Sequence, residues 1–198
     1  VGFSRIISES DNAEERREYY EIVDANNERL LQLINDVLDL SKLEADQMEL
    51  VPEPCDFAEL AREVMNVFRH RAAEKKLQLA VDIGNVPELK LDKVRIRQIL
   101  FNLIGNAVKF TEHGSISLVG EFIPDEEGAG TLRFHVSDTG IGIAEKDIKR
   151  LMEPFVQLSQ MRGTNAANNG TGLGLSICKR LIEKMNGHIS VSYTHLRA

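Results

Sequence analysis

Two asparagines and a lysine share one face of a predicted helix within the stretch from Leu91 to Thr111. The polar residues of this face recur at helical spacing and are Arg95, Gln98, Asn102, Asn106 and Lys109. Asparagine costs about 0.5 kcal/mol relative to alanine inside a helix, so two of them one turn apart call for an explanation. Amide oxygens are hard, neutral ligands for Mg²⁺, and a lysine one turn further can meet a phosphate group. A solvated face, or amides satisfied inside the core, is the alternative, and this helix alone leaves both open.

The helix that positions these side chains is predicted from its apolar residues, which form a wide band at helical spacing. They are Ile96, Ile99, Leu100, Leu103, Ile104, Ala107 and Val108. Asp92 stands where an N-cap would accept hydrogen bonds from the first free N–H groups.

Two glycine-rich segments lie downstream of this helix. The sequence DTGIGI (138–143) follows a predicted strand, so its glycines allow close backbone approach to a ligand and Asp138 offers a carboxylate at the strand end. Taken alone, this motif is more often a plain turn. The sequence GTGLGL (170–175) runs into a predicted helix, whose free N–H groups and positive dipole end would point at an anion. Neither segment is a Walker loop, and the second lacks the spacing and preceding strand of a dinucleotide fingerprint.

Between the glycine segments lie EPF (153–155) and a run rich in polar and small residues, VQLSQMRGTNAANN (156–169). The composition of this run is typical of a mobile lid.

A long helix is predicted from Ala13 to Ala45, because its apolar residues recur three to four times per two turns. More than thirty residues without a breaker is long for a globular helix, so an antiparallel hairpin that dimerises into a four-helix bundle is preferred. An ordinary core helix of a single domain is the alternative. Val1–Ser8 is predicted to be the end of a preceding helix, and Glu9–Asn12 a polar turn.

A second unit is predicted after Pro52 and Pro54, with helices and strands that form a mixed sheet covered by helices on one face. The predicted helices are Phe57–Lys76, the central helix described above and Leu173–Met185. The predicted strands are Leu77–Ile83, Glu88–Leu91, Ser115–Ile123, Thr131–Val136 and Gly187–Val191. The third and fourth of these strands should form a hairpin around the turn PDEEGAG.

Composition excludes several classes of function. Apolar residues make up 42% of the chain and charged residues 28%, as in ordinary soluble domains. The net charge of −7 argues against nucleic acid as a partner. Cys55 and Cys178 are too few and too far apart for a disulfide framework or metal site, so we expect buried or half-buried free thiols. No apolar run is long enough to cross a bilayer.

In order and spacing, NLIGNAVKFT, DTGIGI, EPF and GTGLGL resemble the N, G1, F and G2 boxes of sensor histidine kinases, members of the GHKL ATP-binding superfamily that includes gyrase and Hsp90-type ATPases. The sequence NNERLLQLINDVLDLSKLEAD resembles the second helix of the kinase dimerisation domain. The resemblance implies an α+β fold, a two-layer α/β sandwich of GHKL (Bergerat) type preceded by a partial helical hairpin. It implies a hairpin in residues 1–50 and an ATP-binding domain in residues 51–191. The cofactors implied are ATP and Mg²⁺.

The resemblance also implies roles for matching residues. Asn106 would coordinate Mg²⁺, Asn102 would lie one turn earlier on the same face near the phosphates, and Lys109 would neutralise phosphate charge. Phe110 would lie against adenine, and Asp138 would accept a hydrogen bond from the adenine amino group in a pocket shaped by Gly140 and Gly142. The phosphate-binding loop would comprise Gly170, Thr171, Gly172, Leu173, Gly174 and Leu175. Arg162 in the lid is a candidate for a γ-phosphate contact, and a solvated arginine is equally consistent.

The partners implied are a response-regulator receiver domain and, in the full-length protein, a second copy of the chain. The implied location is cytoplasmic, with membrane attachment only through other parts of the parent protein. The phosphoacceptor histidine of the family precedes an acidic residue and Thr-Pro, and no such motif occurs here. His70 lies in a predicted helix and His135 is expected to be packed in a strand, while His113, His188 and His195 lie at turns or in the tail. We therefore expect a chain that binds ATP without phosphorylating itself.

Residues 192–198 lack the family's next motif, so we expect a truncated or foreign tail there. An ATP-hydrolysing machine of the gyrase or Hsp90 type is an alternative function, but those enzymes resemble one another in a glutamate that activates water where this chain has Asn102. A non-catalytic nucleotide-sensing or dimerisation module is a further alternative.

Overall fold

A computed structural model describes residues 12–126, 129–157 and 170–192. The first helix within these residues, α1 (Ala13–Glu44), is capped by Asn12, whose side chain accepts a hydrogen bond from the Glu14 N–H at 3.0 Å. The predicted long helix is thus confirmed. The predicted helix end at Val1–Ser8, nearly all of the predicted lid and the tail from 193 lie outside the described residues.

The other elements follow in chain order. They are β1 (Glu53–Cys55), α2 (Phe57–Glu74), β2 (Gln78–Ile83), β3 (Leu89–Leu91), α3 (Lys93–Phe110), β4 (Ser115–Pro124), β5 (Gly130–Asp138), α4 (Glu145–Ile148) and α5 (Gly174–Lys184).

The central sheet has the strand order β2-β4-β5. The β2 and β4 strands are parallel, and β4 and β5 are antiparallel with Ile116 opposite Asp138. The predicted mixed sheet and hairpin are therefore confirmed. The short strand β1, which was not predicted, pairs with β3 in a separate antiparallel ladder.

One face of the central sheet packs against the helices. Along β4, Ile116 and Leu118 are fully buried, while Leu132, Phe134 and Val136 of β5 lean on the same core. The α2 and α3 helices contribute fully buried side chains that include Phe57, Leu60, Val64, Ile99, Leu100 and Ile104. Alternate residues of β2 and β5 are exposed on the other face, as expected for a two-layer α+β sandwich.

Two predictions about local structure were wrong. Residues 187–192 contain no strand, although Gly187–Val191 has the right residue types, because a strand also needs a partner to hydrogen-bond. His135 is exposed rather than packed, because the alternation of β5 turns it away from the helices.

The apolar stripe of α1 is largely exposed, and its exposed members include Leu30, Leu31, Leu33, Ile34, Val37 and Leu38. Among the described residues, α1 contributes to the buried core through its C-terminal half, with Leu40 and Leu43. An exposed apolar stripe of this kind suits the predicted helical bundle, which stays a prediction. Within the described residues, no helix is long and apolar enough to span a membrane.

Candidate functional site

The helix α3 begins at Asp92, as predicted. One carboxylate oxygen of Asp92 accepts a hydrogen bond from the Arg95 N–H, and the other accepts one from the Val51 N–H, both at 3.0 Å. This single residue therefore caps α3 and ties the chain before β1 to it.

The first half of the polar face of α3 lies against α1. The Gln98 Nε2 donates to Asp39 Oδ2 at 2.8 Å, and Arg95 Nη1 lies 3.5 Å from the same oxygen. These two residues of the face therefore join α3 to the long helix.

The second half of this face lies against the 170–175 segment. The Asn102 Nδ2 donates to the Gly174 carbonyl at 3.4 Å, and a Cβ on Gly174 would stand 2.9 Å from Asn102 Oδ1. A Cβ on Gly170 would stand 3.0 Å from Lys109 Nζ. Asn106 lies between Asn102 and Lys109 in the sequence. Its side chain is half-buried and has no hydrogen-bond partner in the described part of the chain. The structure therefore brings the asparagine and lysine face to the second glycine segment.

The ammonium group of Lys109 is partly desolvated. Its Nζ stands 4.6 Å from the centroid of the Phe110 ring, a cation–π distance. Burial lowers the pKa of Lys109 below its ordinary value. A cation that has lost part of its hydration gains more from a nearby anion than a fully solvated one does.

The DTGIGI loop is fastened to the end of α3. The Asp138 Oδ1 accepts a hydrogen bond from the Gly140 N–H at 2.8 Å, and the Ile141 N–H donates to the Phe110 carbonyl at 3.3 Å. A Cβ on Gly140 would lie 2.5 Å from the Phe110 oxygen, so glycine is needed for this close approach. The second carboxylate oxygen of Asp138 has no partner among the described residues and remains available to a ligand.

The GTGLGL loop is held from three sides. The Phe155 N–H donates to the Gly172 carbonyl at 3.0 Å, and Gln157 Nε2 donates to the Gly170 carbonyl at 2.8 Å. The Thr171 hydroxyl donates to Asp36 Oδ2 at 2.8 Å and accepts from the Leu173 N–H at 3.2 Å. Gly172 has a φ of +74°, which favours glycine. The loop ends at the first turn of α5, where unpaired N–H groups gather.

Of the predicted site residues, the structure brings Asn102, Lys109 and the 170–174 segment together, and it joins Phe110 to Asp138 and Gly140 through the end of α3. Gly142 has a φ of +68°, and a Cβ added there would meet nothing within 4 Å. Arg162 lies outside the described residues.

Sequence reasoning missed two residues that contact the elements of the site. Lys75, at the end of α2, donates from Nζ to the carbonyls of Val108, Lys109 and Thr111 at 2.8, 3.1 and 3.2 Å. Asp36 of α1 contacts Thr171 across 135 positions of sequence. Both contacts join distant parts of the chain, and no local sequence pattern signals them.

A family model describing the histidine kinase-, DNA gyrase B- and HSP90-like ATPases matches residues 91–197, which include α3 and both glycine loops. The chain belongs to this ATPase family. A second model, for the His kinase A (phospho-acceptor) domain, matches residues 1–46 of this member of the family, the region that contains α1.

Similar proteins of this ATPase family are sensor kinases. The autoinducer 2 sensor kinase/phosphatase LuxQ of Vibrio parahaemolyticus is 36% identical over 196 residues, which are 96% of this chain and 22% of LuxQ. The signal transduction histidine-protein kinase BarA of Escherichia coli is 35% identical over 192 residues, 96% of this chain and 21% of BarA. The chain thus spans about a fifth of the length of these curated relatives.

The fold is also shared with a solved kinase. The crystal structure of full-length ShkA in complex with AMPPNP superposes with a TM-score of 0.73 at 36% identity, covering 93% of this chain and 37% of ShkA. The nucleotide analogue in that crystal structure is bound to ShkA.

Proposed function

We propose that this chain is the nucleotide-binding region of a sensor histidine kinase and that it binds Mg-ATP between α3 and the two glycine loops. The observation that carries this proposal is the meeting of the polar face of α3 with the 170–175 loop, through Asn102 against Gly174 and Lys109 against Gly170. Family membership and the ShkA complex with AMPPNP support a nucleotide as the ligand.

The adenine end of the proposed site lies at Asp138. One oxygen of its carboxylate is already fixed by the Gly140 N–H, so the other is oriented to accept from an exocyclic amino group. Guanine carries a carbonyl in place of that amino group. Because a carbonyl oxygen and the Asp138 carboxylate are both acceptors, they cannot form a hydrogen bond, and the site favours adenine over guanine. The backbone carbonyl of Phe110 accepts a hydrogen bond from this loop, and its ring supplies an apolar contact for the base.

The phosphate end of the proposed site lies at the start of α5. The backbone N–H groups of Gly170, Thr171, Gly172 and the residues that follow, together with the positive end of the helix dipole, favour an anion there. The Lys109 ammonium lies within reach of the same loop. The family roles of Leu173, Gly174 and Leu175 as loop donors are part of this proposal.

The side chains here fit a magnesium ion that arrives with the nucleotide. Mg²⁺ in such sites binds one or two protein oxygens and otherwise phosphate and water. The Asn106 amide offers one such oxygen, because it is half-buried on the loop-facing side of α3 with no competing partner in the described structure. Within the described residues, no cluster of three or more His, Cys, Asp or Glu side chains could hold a metal.

In the parent kinase, this site would deliver the γ-phosphoryl group to a histidine of the dimerisation helices, from which a response-regulator aspartate receives it. Phosphoryl transfer depends mainly on positioning and charge stabilisation, which agrees with a site built of amides, N–H groups and a lysine. Asn102 carries no basic group, so water is not activated and ATP hydrolysis is expected to be slow. The exposed apolar stripe of α1 supports homodimerisation in the parent, and the use of ATP supports a cytoplasmic location.

Titration of Mg-ATP into the chain by calorimetry tests the proposal. We expect binding by the wild type and at least about tenfold weaker binding by Asp138→Asn, because a hydrogen bond to a charged acceptor contributes about 1.5–3 kcal/mol. Asp82→Asn, on the exposed face of β2, is the matched control because it removes the same charge away from the site. The proposal is wrong if the wild type fails to bind ATP, or if both variants bind as the wild type does.

A second measurement tests self-phosphorylation. Incubation with ATP labelled at the γ-phosphate should leave no acid-labile phosphate on the chain, because none of its five histidines lies in the phosphoacceptor motif. Acid-labile phosphate on the chain would contradict this expectation.

A further inference from the structure

A buried carboxylate of α1 stands beside the proposed phosphate loop. Asp36 is 6% exposed, and its two oxygens accept from Gln32 Nε2 at 2.7 Å and from the Thr171 hydroxyl at 2.8 Å. Within the described residues it forms no ion pair. Burying a carboxylate with only neutral donors is costly, so this contact needs a reason beyond stability.

The contact controls the orientation of the Thr171 hydroxyl. Its single hydrogen is directed at Asp36, so a lone pair faces the Leu173 N–H at 3.2 Å. Leu173 immediately precedes α5, and its N–H is one of the donors proposed for the nucleotide phosphates. While Asp36 holds Thr171, that donor is already occupied.

The negative charge of Asp36 also affects the pKa of a residue in α5. Burial is the main reason that the pKa of Cys178 is raised to about 12, and the negative charge of Asp36 adds to the shift. Asp36 contacts Thr171 just before α5 begins, so its charge lies close to the helix end where a phosphate would bind. Like charges at one helix N-terminus repel, so Asp36 opposes phosphate binding there.

A second carboxylate of α1 fixes the helix without touching the loop. Asp39, one turn further along, accepts from Gln98 of α3 at 2.8 Å. The position of α1 and the state of the loop are therefore set by separate residues, which allows the two effects to be tested apart.

We propose that Asp36 is a positioning residue that acts through Thr171 to hold the 170–175 loop in a state of low nucleotide affinity. A movement of α1 that separates the two side chains frees the Leu173 N–H, removes the negative charge and strengthens nucleotide binding. The position of α1 thereby sets the nucleotide affinity of the phosphate site. The inference rests on the proposed function, since it concerns the affinity of the same site.

Binding of Mg-ATP by single and double variants tests the inference. We expect Asp36→Ala to tighten binding by at least about fivefold, the lower end of the usual coupling between linked sites. The gain should persist when Thr171 is serine, which keeps the hydroxyl, and should be smaller when Thr171 is valine, because only the removal of the Asp36 charge then contributes. Asp24→Ala, an exposed charge on the same helix, is the matched control and should bind as the wild type does.

Asp39→Ala separates the loop contact from the docking of α1. It should change affinity by less than about twofold, because α1 stays anchored in the core through Leu40 and Leu43 and the contact of Asp36 with Thr171 is kept. An equal gain from Asp39→Ala and Asp36→Ala would show that helix docking in general sets the affinity, and would overturn the role of Asp36. Unchanged or weaker binding by Asp36→Ala would overturn it as well.

Hydrogen exchange of the 171–175 amides without nucleotide supplies a readout that is independent of ATP. We expect faster exchange in Asp36→Ala than in Asp24→Ala, because the loop loses its anchor. Equal exchange would overturn the inference. Absence of ATP binding by the wild type would instead contradict the proposed function, while the exchange comparison would still decide whether Asp36 holds the loop.

Discussion

The ammonium of Lys75 is expected to stabilise the end of α3, and therefore both ends of the proposed site. Its Nζ donates to the carbonyls of Val108, Lys109 and Thr111, at the helix terminus where carbonyls lack intrahelical partners. The same turn carries Lys109 and Phe110, so the phosphate and adenine ends of the site both depend on it.

The magnitude follows from the geometry of these contacts. A cation at a helix C-terminus contributes about 0.3–1 kcal/mol, and a hydrogen bond from a charged donor about 1.5–3 kcal/mol. Lys75 is only half-buried, so water replaces part of what Lys75→Met removes. We expect the free energy of unfolding to fall by about 2 kcal/mol, or the melting temperature by about 4–8 °C in a chain of this size.

Urea unfolding followed by circular dichroism measures this loss, because the chain has no tryptophan for fluorescence. Lys76→Met is the matched control. Lys76 is exposed and already has a φ of +57°, so its replacement by another unbranched side chain leaves the backbone strain unchanged. If Lys75→Met and Lys76→Met unfold within about 0.5 kcal/mol of each other, the three hydrogen bonds contribute little and the reasoning is refuted.

Three further predictions concern glycines and a thiol. Gly105→Ala in α3 should raise the free energy of unfolding by about 0.5–1 kcal/mol, because the added Cβ meets an aromatic ring at an ordinary 3.6 Å; a loss in urea unfolding would contradict this. Gly172→Ala should weaken Mg-ATP binding more than Gly142→Ala does in a titration. Both glycines have a positive φ, but only the Cβ added at residue 172 would contact the backbone of another residue, at 3.0 Å. Equal losses would show that strain alone matters. Because the Cys178 pKa is raised to about 12 from 9.0, the unfolded thiol ionises first and stability should fall as pH rises above 9.0. Urea unfolding at about pH 8 and pH 10 should show a smaller fall in Cys178→Ala, and an equal fall would contradict the assignment.

Local patterns predicted most of the fold because the physics that forms these elements is local. The apolar period of α3 and the capping carboxylate of Asp92 specify a helix and its first residue, and both are confirmed. The alternation of β4 and β5 around a turn-forming segment specifies a hairpin. The strand predicted at Gly187–Val191 failed because the residue types of a strand do not supply its hydrogen-bonding neighbour.

The sequence by itself determined which groups are available for chemistry: amides and a lysine on one helical face, and two glycine segments, one of them beginning with a carboxylate. Helical spacing and the special conformations of glycine depend only on neighbouring residues, so these features are readable without a structure. The tertiary structure alone decided that Lys109 meets Gly170, that Lys75 holds the end of α3, and that Asp36 reaches Thr171. These contacts depend on how helices pack around a shared core, and packing places side chains together that are separated by up to 135 positions in the chain.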